Sequence, residues 1–124
     1  MERLRILVVD DEEYVREIVA AVLNEDGHHT DMARNGTEAL PLLDQHAYDL
    51  IVSDLRMPEI DGPALYREVE RRHPDTVKRF IFITGTTYFP EYADFLKITK
   101  APVLLKPFNL MALRQAVAQA LARQ

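Results

Sequence analysis

Short apolar runs alternate along the chain with stretches in which apolar residues recur every three or four positions, a rhythm that predicts strands alternating with helices. The runs at residues 4–9, 50–53, 80–83 and 102–105 are rich in β-branched and other bulky residues, as expected of strands buried on both faces of a parallel sheet. A fifth run, 29–33, is more polar and is predicted to lie at an edge. Between the runs, Val15, Ile18, Val19, Val22 and Leu23 form one helical stripe that Gly27 ends. A second helix near 37–46 presents Ala39, Leu40 and Leu43, and its Pro41 is expected within the opening turn, where a missing N–H costs least. A third starts near Asp61 with Pro63 in its first turn, turns Leu65, Tyr66 and Val69 inward, and stops before Pro74. The fourth opens at Pro90 and carries Tyr92, Phe95, Leu96 and Ile98; the last is capped by Asn109 and spaces Leu110, Leu113, Val117 and Leu121 by threes and fours. With no linker, repeat or low-complexity tract, residues 1–124 are expected to form one three-layer, doubly wound α/β domain.

Composition narrows the function. At 124 residues the chain has the size of one domain, and its 15 basic against 20 acidic side chains leave a net charge of −5. That balance argues against a sequence-independent grip on nucleic acid or an anionic bilayer, both of which need clustered Lys and Arg. The absence of cysteine excludes disulfides, thiolate zinc sites and Cys nucleophiles, and fits a reducing compartment. Four apolar residues, Ile6 to Val9, precede four consecutive acids, too few for a secretory signal core. No run approaches the ~20 apolar residues of a membrane span, so a cytoplasmic location is expected.

In a parallel sheet every strand's carboxyl end lies on one edge, where ligands of open α/β folds bind. The first strand runs into Asp10 and Asp11, the third into Asp54, the fourth into Thr84 and the fifth into Lys106. Three acids, a hydroxyl and an amine are therefore expected at one rim. Carboxylates ~4 Å apart repel by about 4 kcal/mol at the effective dielectric of a protein surface, so the group calls for a cation. Mg²⁺, with Mn²⁺ as its alternative, suits the oxygen donors; it is commonly held by one or two carboxylates, waters and a substrate phosphate. A carboxylate can itself attack phosphorus, provided metal, ammonium and hydroxyl donors neutralise the transferring group. Each residue also has an ordinary explanation: solvated acids favouring a helix dipole for Asp10 to Glu13, a turn or cap for Asp54, a local backbone bond for Thr84, a surface lysine for Lys106. Their joint arrival at one edge favours the chemical reading. His28, His29, His46 and His73 lack metal-ligand spacing and are expected at the surface. Tyr88, Phe89, Tyr92 and Phe95 read as partly core, or else as a partner surface.

The chain carries, in order, Val8-Val9-Asp10-Asp11-Glu12, Asn35-Gly36, Asp54 followed by Met57-Pro58 and Asp61-Gly62, Ile83-Thr84-Gly85, and Lys106-Pro107-Phe108. By these motifs the whole chain resembles the receiver domains of two-component response regulators. The resemblance implies a flavodoxin-like fold of strand order 2-1-3-4-5. It also implies that Asp54 accepts a phosphoryl group from a histidine kinase or a histidine phosphotransfer protein. Asp11, Asp54 and the backbone carbonyl of Arg56 would bind Mg²⁺ directly, and Asp10 through a water. Thr84 would hydrogen-bond the phosphoryl group, Lys106 would ion-pair with it, and the Lys106-Pro107 bond would be cis. Arg56 and Thr86 resemble positions that tune the lifetime of the phosphoryl group. A homodimer or output partner would use the fourth helix, fifth strand and last helix.

The chain also departs from the family pattern. Val103 stands where many receivers have an aromatic, Gly85 where Ala is common, and the fourth segment lacks the usual Gly-Ala-Asp-Asp. Residues 84–103 look more like receivers attached to hybrid histidine kinases, although Met1 immediately before the first strand fits a stand-alone regulator equally well. Two other functions compete. One is a degenerate receiver that binds partners without phosphate. The other is a haloacid-dehalogenase-like phosphatase, whose Asp-x-Asp fails here because Glu12 follows Asp10 by two positions.

Overall fold

The structure is a computed structural model that describes residues 3–85 and 90–122. Thr86, Tyr88 and Phe89 lie outside the described residues. Five parallel strands, β1 (Arg5–Val9), β2 (His29–Ala33), β3 (Leu50–Asp54), β4 (Phe80–Thr84) and β5 (Val103–Leu105), pair in the order β2-β1-β3-β4-β5. Helices α1 (Glu13–Glu25), α2 (Gly36–Gln45), α3 (Gly62–Arg72), α4 (Ala93–Thr99) and α5 (Leu110–Ala122) complete the doubly wound, flavodoxin-like arrangement.

Because side chains alternate across a strand, the sheet has two separate apolar faces. Leu7, Val9, Ile51, Phe80 and Phe82 pack with Ala39, Leu43, Leu65, Val69 and Leu96 of α2, α3 and α4. Ile6, Val8, Leu50, Val52, Ile81, Ile83 and Leu104 pack with Val19, Leu23, Leu113 and Val117 of α1 and α5. Each fully buried side chain of this size contributes about 1.5–3 kcal/mol, so the two layers fix the sheet and hold its carboxyl edge in place.

Three expectations change. Pro41 sits at the sixth residue of α2, inside the helix rather than in its opening turn, so Thr37 loses the N–H that would bond its carbonyl. Asn35 compensates at the helix start, where its Oδ1 accepts from Glu38 N at 2.8 Å. The fifth strand is not buried on both faces: β5 forms the second edge of the sheet, and Val103 and Leu105 are 38% and 54% exposed. The fourth helical segment opens as a 3₁₀ turn, Pro90–Tyr92, and only then becomes α4; its Ile98 and the Leu110 of α5 point outward. A further 3₁₀ turn, Thr76–Arg79, leads into β4 and has no counterpart in the sequence reading.

Candidate functional site

The order of strands reverses direction at β1, with β2 wound to one side and β3 to the other. This switch point is where open α/β sheets leave a crevice at their carboxyl edge. Val9 pairs with Ser53, so Asp10 and Asp54 each follow one member of that pair and emerge side by side. Ile83 is the partner of Asp54, which sets Thr84 at the neighbouring strand end, and Lys106 follows Leu105 at the end of β5.

Backbone contacts fix these ends. Leu55 N donates to Ile83 O at 2.9 Å, continuing the β3–β4 ladder past Asp54, and Lys106 N donates to Thr84 O at 2.8 Å. Gly62 N donates to Leu55 O at 2.8 Å, seating the start of α3 directly on the chain beside Asp54. A Cβ at position 62 would lie 2.8 Å from Asp54 O and 2.9 Å from Leu55 Cα, an approach only glycine allows. Asp61 caps this helix, its Oδ1 accepting from Ala64 N at 2.9 Å. The Lys106-Pro107 peptide bond is cis.

Asp10 is fully buried and Asp54 is 5% exposed, whereas Asp11 and Glu12 are exposed. One carboxylate oxygen from each of the four lies within 4.8 Å of the others. Lys106 Nζ contacts Glu12 Oε1 at 2.7 Å, Asp10 Oδ2 at 3.3 Å and Asp54 Oδ2 at 3.4 Å. Asp10 Oδ1 accepts from Glu12 N at 2.8 Å, and Arg56 N donates to Asp54 Oδ1 at 3.4 Å. Arg16 Nη1 donates to the Asp10 carbonyl at 2.7 Å, tying the first turn of α1 to the end of β1.

The electrostatics follow from this crowding. Burial, reinforced by the charge of Asp10 and only partly offset by Lys106, raises the Asp54 carboxyl to about 7. Burial likewise raises Asp10, against the pull of the Glu12 N–H and Lys106. For Lys106, burial would lower the pKa, but Glu12, Asp54 and Asp10 outweigh it and hold the ammonium charged. Among the described residues, the Lys106 ammonium is shared by three of the four clustered acids. Asp10 Oδ2 is buried and has no well-directed hydrogen bond although Lys106 lies close. A buried carboxylate oxygen that has an ion-pair contact but no hydrogen bond, among hard oxygen donors with no Cys or His in the cluster, fits an oxygen-coordinated divalent cation.

The structure thus brings Asp10, Asp11, Asp54, Thr84 and Lys106 to one rim, with the Arg56 N–H directed at Asp54. Glu12 belongs to the same cluster and was legible only as a member of an acidic run, since its contact with Lys106 spans 94 positions. Buried Tyr92 is a second residue whose setting the sequence concealed. Burial and the carboxylates of Asp61, Glu91 and Asp54 raise its hydroxyl pKa, with Arg56 opposing. Only the geometry shows that the start of the fourth helical segment lies within the field of the site.

Fold and rim together define an open α/β domain with an acidic site at its topological switch point. The chain belongs to the response regulator receiver domain family, whose sequence model matches residues 6–118. Over 121 residues it is 36% identical to the sensor kinase CckA of Brucella abortus, covering 96% of this chain and 13% of that protein. It is 36% identical over 121 residues to the response regulator protein PilR of Pseudomonas aeruginosa, covering 98% of this chain and 27% of that one. The chain therefore spans well under a third of the length of these relatives. Among solved structures, the chemotaxis protein CheY4 of Vibrio cholerae aligns with a TM-score of 0.85 at 27% identity, over 96% of this chain and 99% of that one. These matches give no support to a phosphatase or to a phosphate-free binding module.

Proposed function

We propose that Asp54 is the phosphoacceptor of a two-component phosphorelay and that residues 1–124 form a single receiver domain. An Asp54 carboxylate oxygen attacks the phosphorus of a phosphohistidine on a kinase or phosphotransfer protein. The P–O bond forms as the P–N bond breaks, and the imidazole leaves with the bond's electron pair. Lys106 pairs with the phosphoryl oxygens, and the Thr84 hydroxyl donates a hydrogen bond to them. Asp11, Asp54 and the Arg56 carbonyl would hold Mg²⁺ or Mn²⁺, with Asp10 supporting the ion from behind them. When bound, the ion neutralises charge on the transferring group. The single observation carrying this reading is the burial of Asp10 and Asp54 together beside Lys106, with one Asp10 oxygen lacking a hydrogen bond.

The switch and its audience belong to the same proposal. Ile98 of α4, Val103 and Leu105 of β5, and Met111 of α5 are exposed apolar side chains that would serve a homodimer or an output partner. Among the described residues no helix is long and apolar enough to cross a membrane, and a cytoplasmic site of action is part of the proposal.

Incubation with acetyl phosphate and Mg²⁺, read by intact mass under neutral conditions, tests the assignment. The wild-type chain is expected to gain one phosphoryl group and Asp54→Asn none. An unmodified wild-type chain would contradict phosphoacceptance, and steady phosphate release from organic phosphomonoesters would point to a phosphatase instead.

A further inference from the structure

Glu12 is the N-cap residue of α1, yet its side chain makes no capping hydrogen bond. Its backbone performs the local work: the N–H donates to Asp10 Oδ1 at 2.8 Å and the carbonyl accepts from Arg16 N at 3.0 Å. The carboxylate is instead turned across the rim onto Lys106, 94 positions away, at 2.7 Å. That is the shortest of the three contacts of Nζ; Asp10 and Asp54 stand at 3.3 and 3.4 Å. The helix start does not require a glutamate here, since a shorter polar side chain caps better. The distances describe a competition for one ammonium, with the exposed acid holding it more closely than the two buried ones.

We infer that Glu12 is a positioning residue that draws the Lys106 ammonium, itself paired with Asp10 and Asp54, toward the exposed side of the rim and so loosens its hold on that carboxylate pair in favour of a divalent cation. The inference rests on the proposed reading of the rim as a cation-dependent phosphoacceptor site. Without Glu12, Lys106 would pair with Asp10 and Asp54 alone and more closely, and an incoming cation would meet a stronger competitor. With Glu12, the ammonium is parked within reach and is free to turn to phosphoryl oxygens when they arrive. Glu12 lies outside the ligand set that the family resemblance assigns to Asp10, Asp11, Asp54 and Arg56, and acts on the cation through Lys106.

Calorimetric titration of the metal-free chain with magnesium chloride, at fixed ionic strength, tests this. Glu12→Gln is expected to weaken Mg²⁺ binding by about three- to ten-fold, the scale of one close charge contact at a protein surface. Glu13→Gln removes the same formal charge one residue away and is expected to change binding less than two-fold, as an exposed charge screened by water. In a Lys106→Met background the effect of Glu12→Gln should shrink to that of Glu13→Gln, because the ammonium it positions is gone. The inference is overturned if Glu12→Gln binds Mg²⁺ like wild type, if Glu13→Gln weakens binding equally, or if the loss persists undiminished without Lys106. A wild-type chain that binds no Mg²⁺ would overturn the cation reading itself and this inference with it. Normal wild-type binding with an unaffected Glu12→Gln would sink the inference alone.

Discussion

Asp54 shows how far one side chain's setting departs from its ordinary chemistry. A carboxyl raised to about 7 is protonated in the folded, metal-free chain at pH values where the unfolded chain has already ionised. Below the ordinary carboxyl pKa of about 4 both states hold the proton and folding bears no cost. As pH rises through about 7 the unfolded state binds fewer protons, so that stability is lost. Asp54→Asn, uncharged throughout, is therefore expected to be more stable than wild type in chelator at pH 8, by roughly 1–3 kcal/mol, with the gain shrinking toward pH 4. Urea unfolding across that range measures it; a variant equally or less stable than wild type at pH 8 would contradict the burial argument. At this scale the sequence was informative about placement: Asp10, Asp54, Thr84 and Lys106 stand at the strand ends where the apolar runs put them. It could not show which acid would hold the ammonium, because the Glu12–Lys106 contact is a product of the tertiary fold.

Among the elements, agreement is closest for buried strands and capped helices. The runs ending in Asp54 and Thr84 fold within a residue of their expected bounds, since a short apolar run between turn signals admits few alternatives. Asn35, Asp61 and Asn109 cap α2, α3 and α5 through side-chain oxygens at 2.8–2.9 Å, as residues of their type do. Pro41 departs because packing of Ala39 and Leu43 against the sheet holds α2 together despite a missing backbone bond. Ile98, Val103 and Leu105 depart because an apolar residue does not itself reveal whether a neighbour will cover it. With Met111 they leave exposed apolar side chains on α4, β5 and α5, and phosphorylation is expected to act on these elements by shifting the balance of two conformations. Hydrogen exchange with and without beryllofluoride should change protection across α4, β5 and α5 and leave α2 unaltered. Unchanged protection in all three would contradict the switch.

Over the whole molecule, the two apolar layers and the parallel order bring the proposed site residues Asp10, Asp54, Thr84 and Lys106 to one edge of the sheet. The alternating pattern was enough to predict the layers, while the order 2-1-3-4-5 was implied by the family resemblance and is the order observed. Net charge added little beyond arguing against nucleic-acid and membrane binding, because the decisive negative charge is local and partly buried. The central claim is that this crowded corner directs a phosphoryl group onto one acid among four. Borohydride reduction of the chain after acetyl phosphate treatment, followed by peptide mass analysis, tests it most directly, since an aspartyl phosphate is reduced to homoserine at its own position. Homoserine at position 54 alone is the predicted result; homoserine at position 10 or 11, or at none, would contradict the account.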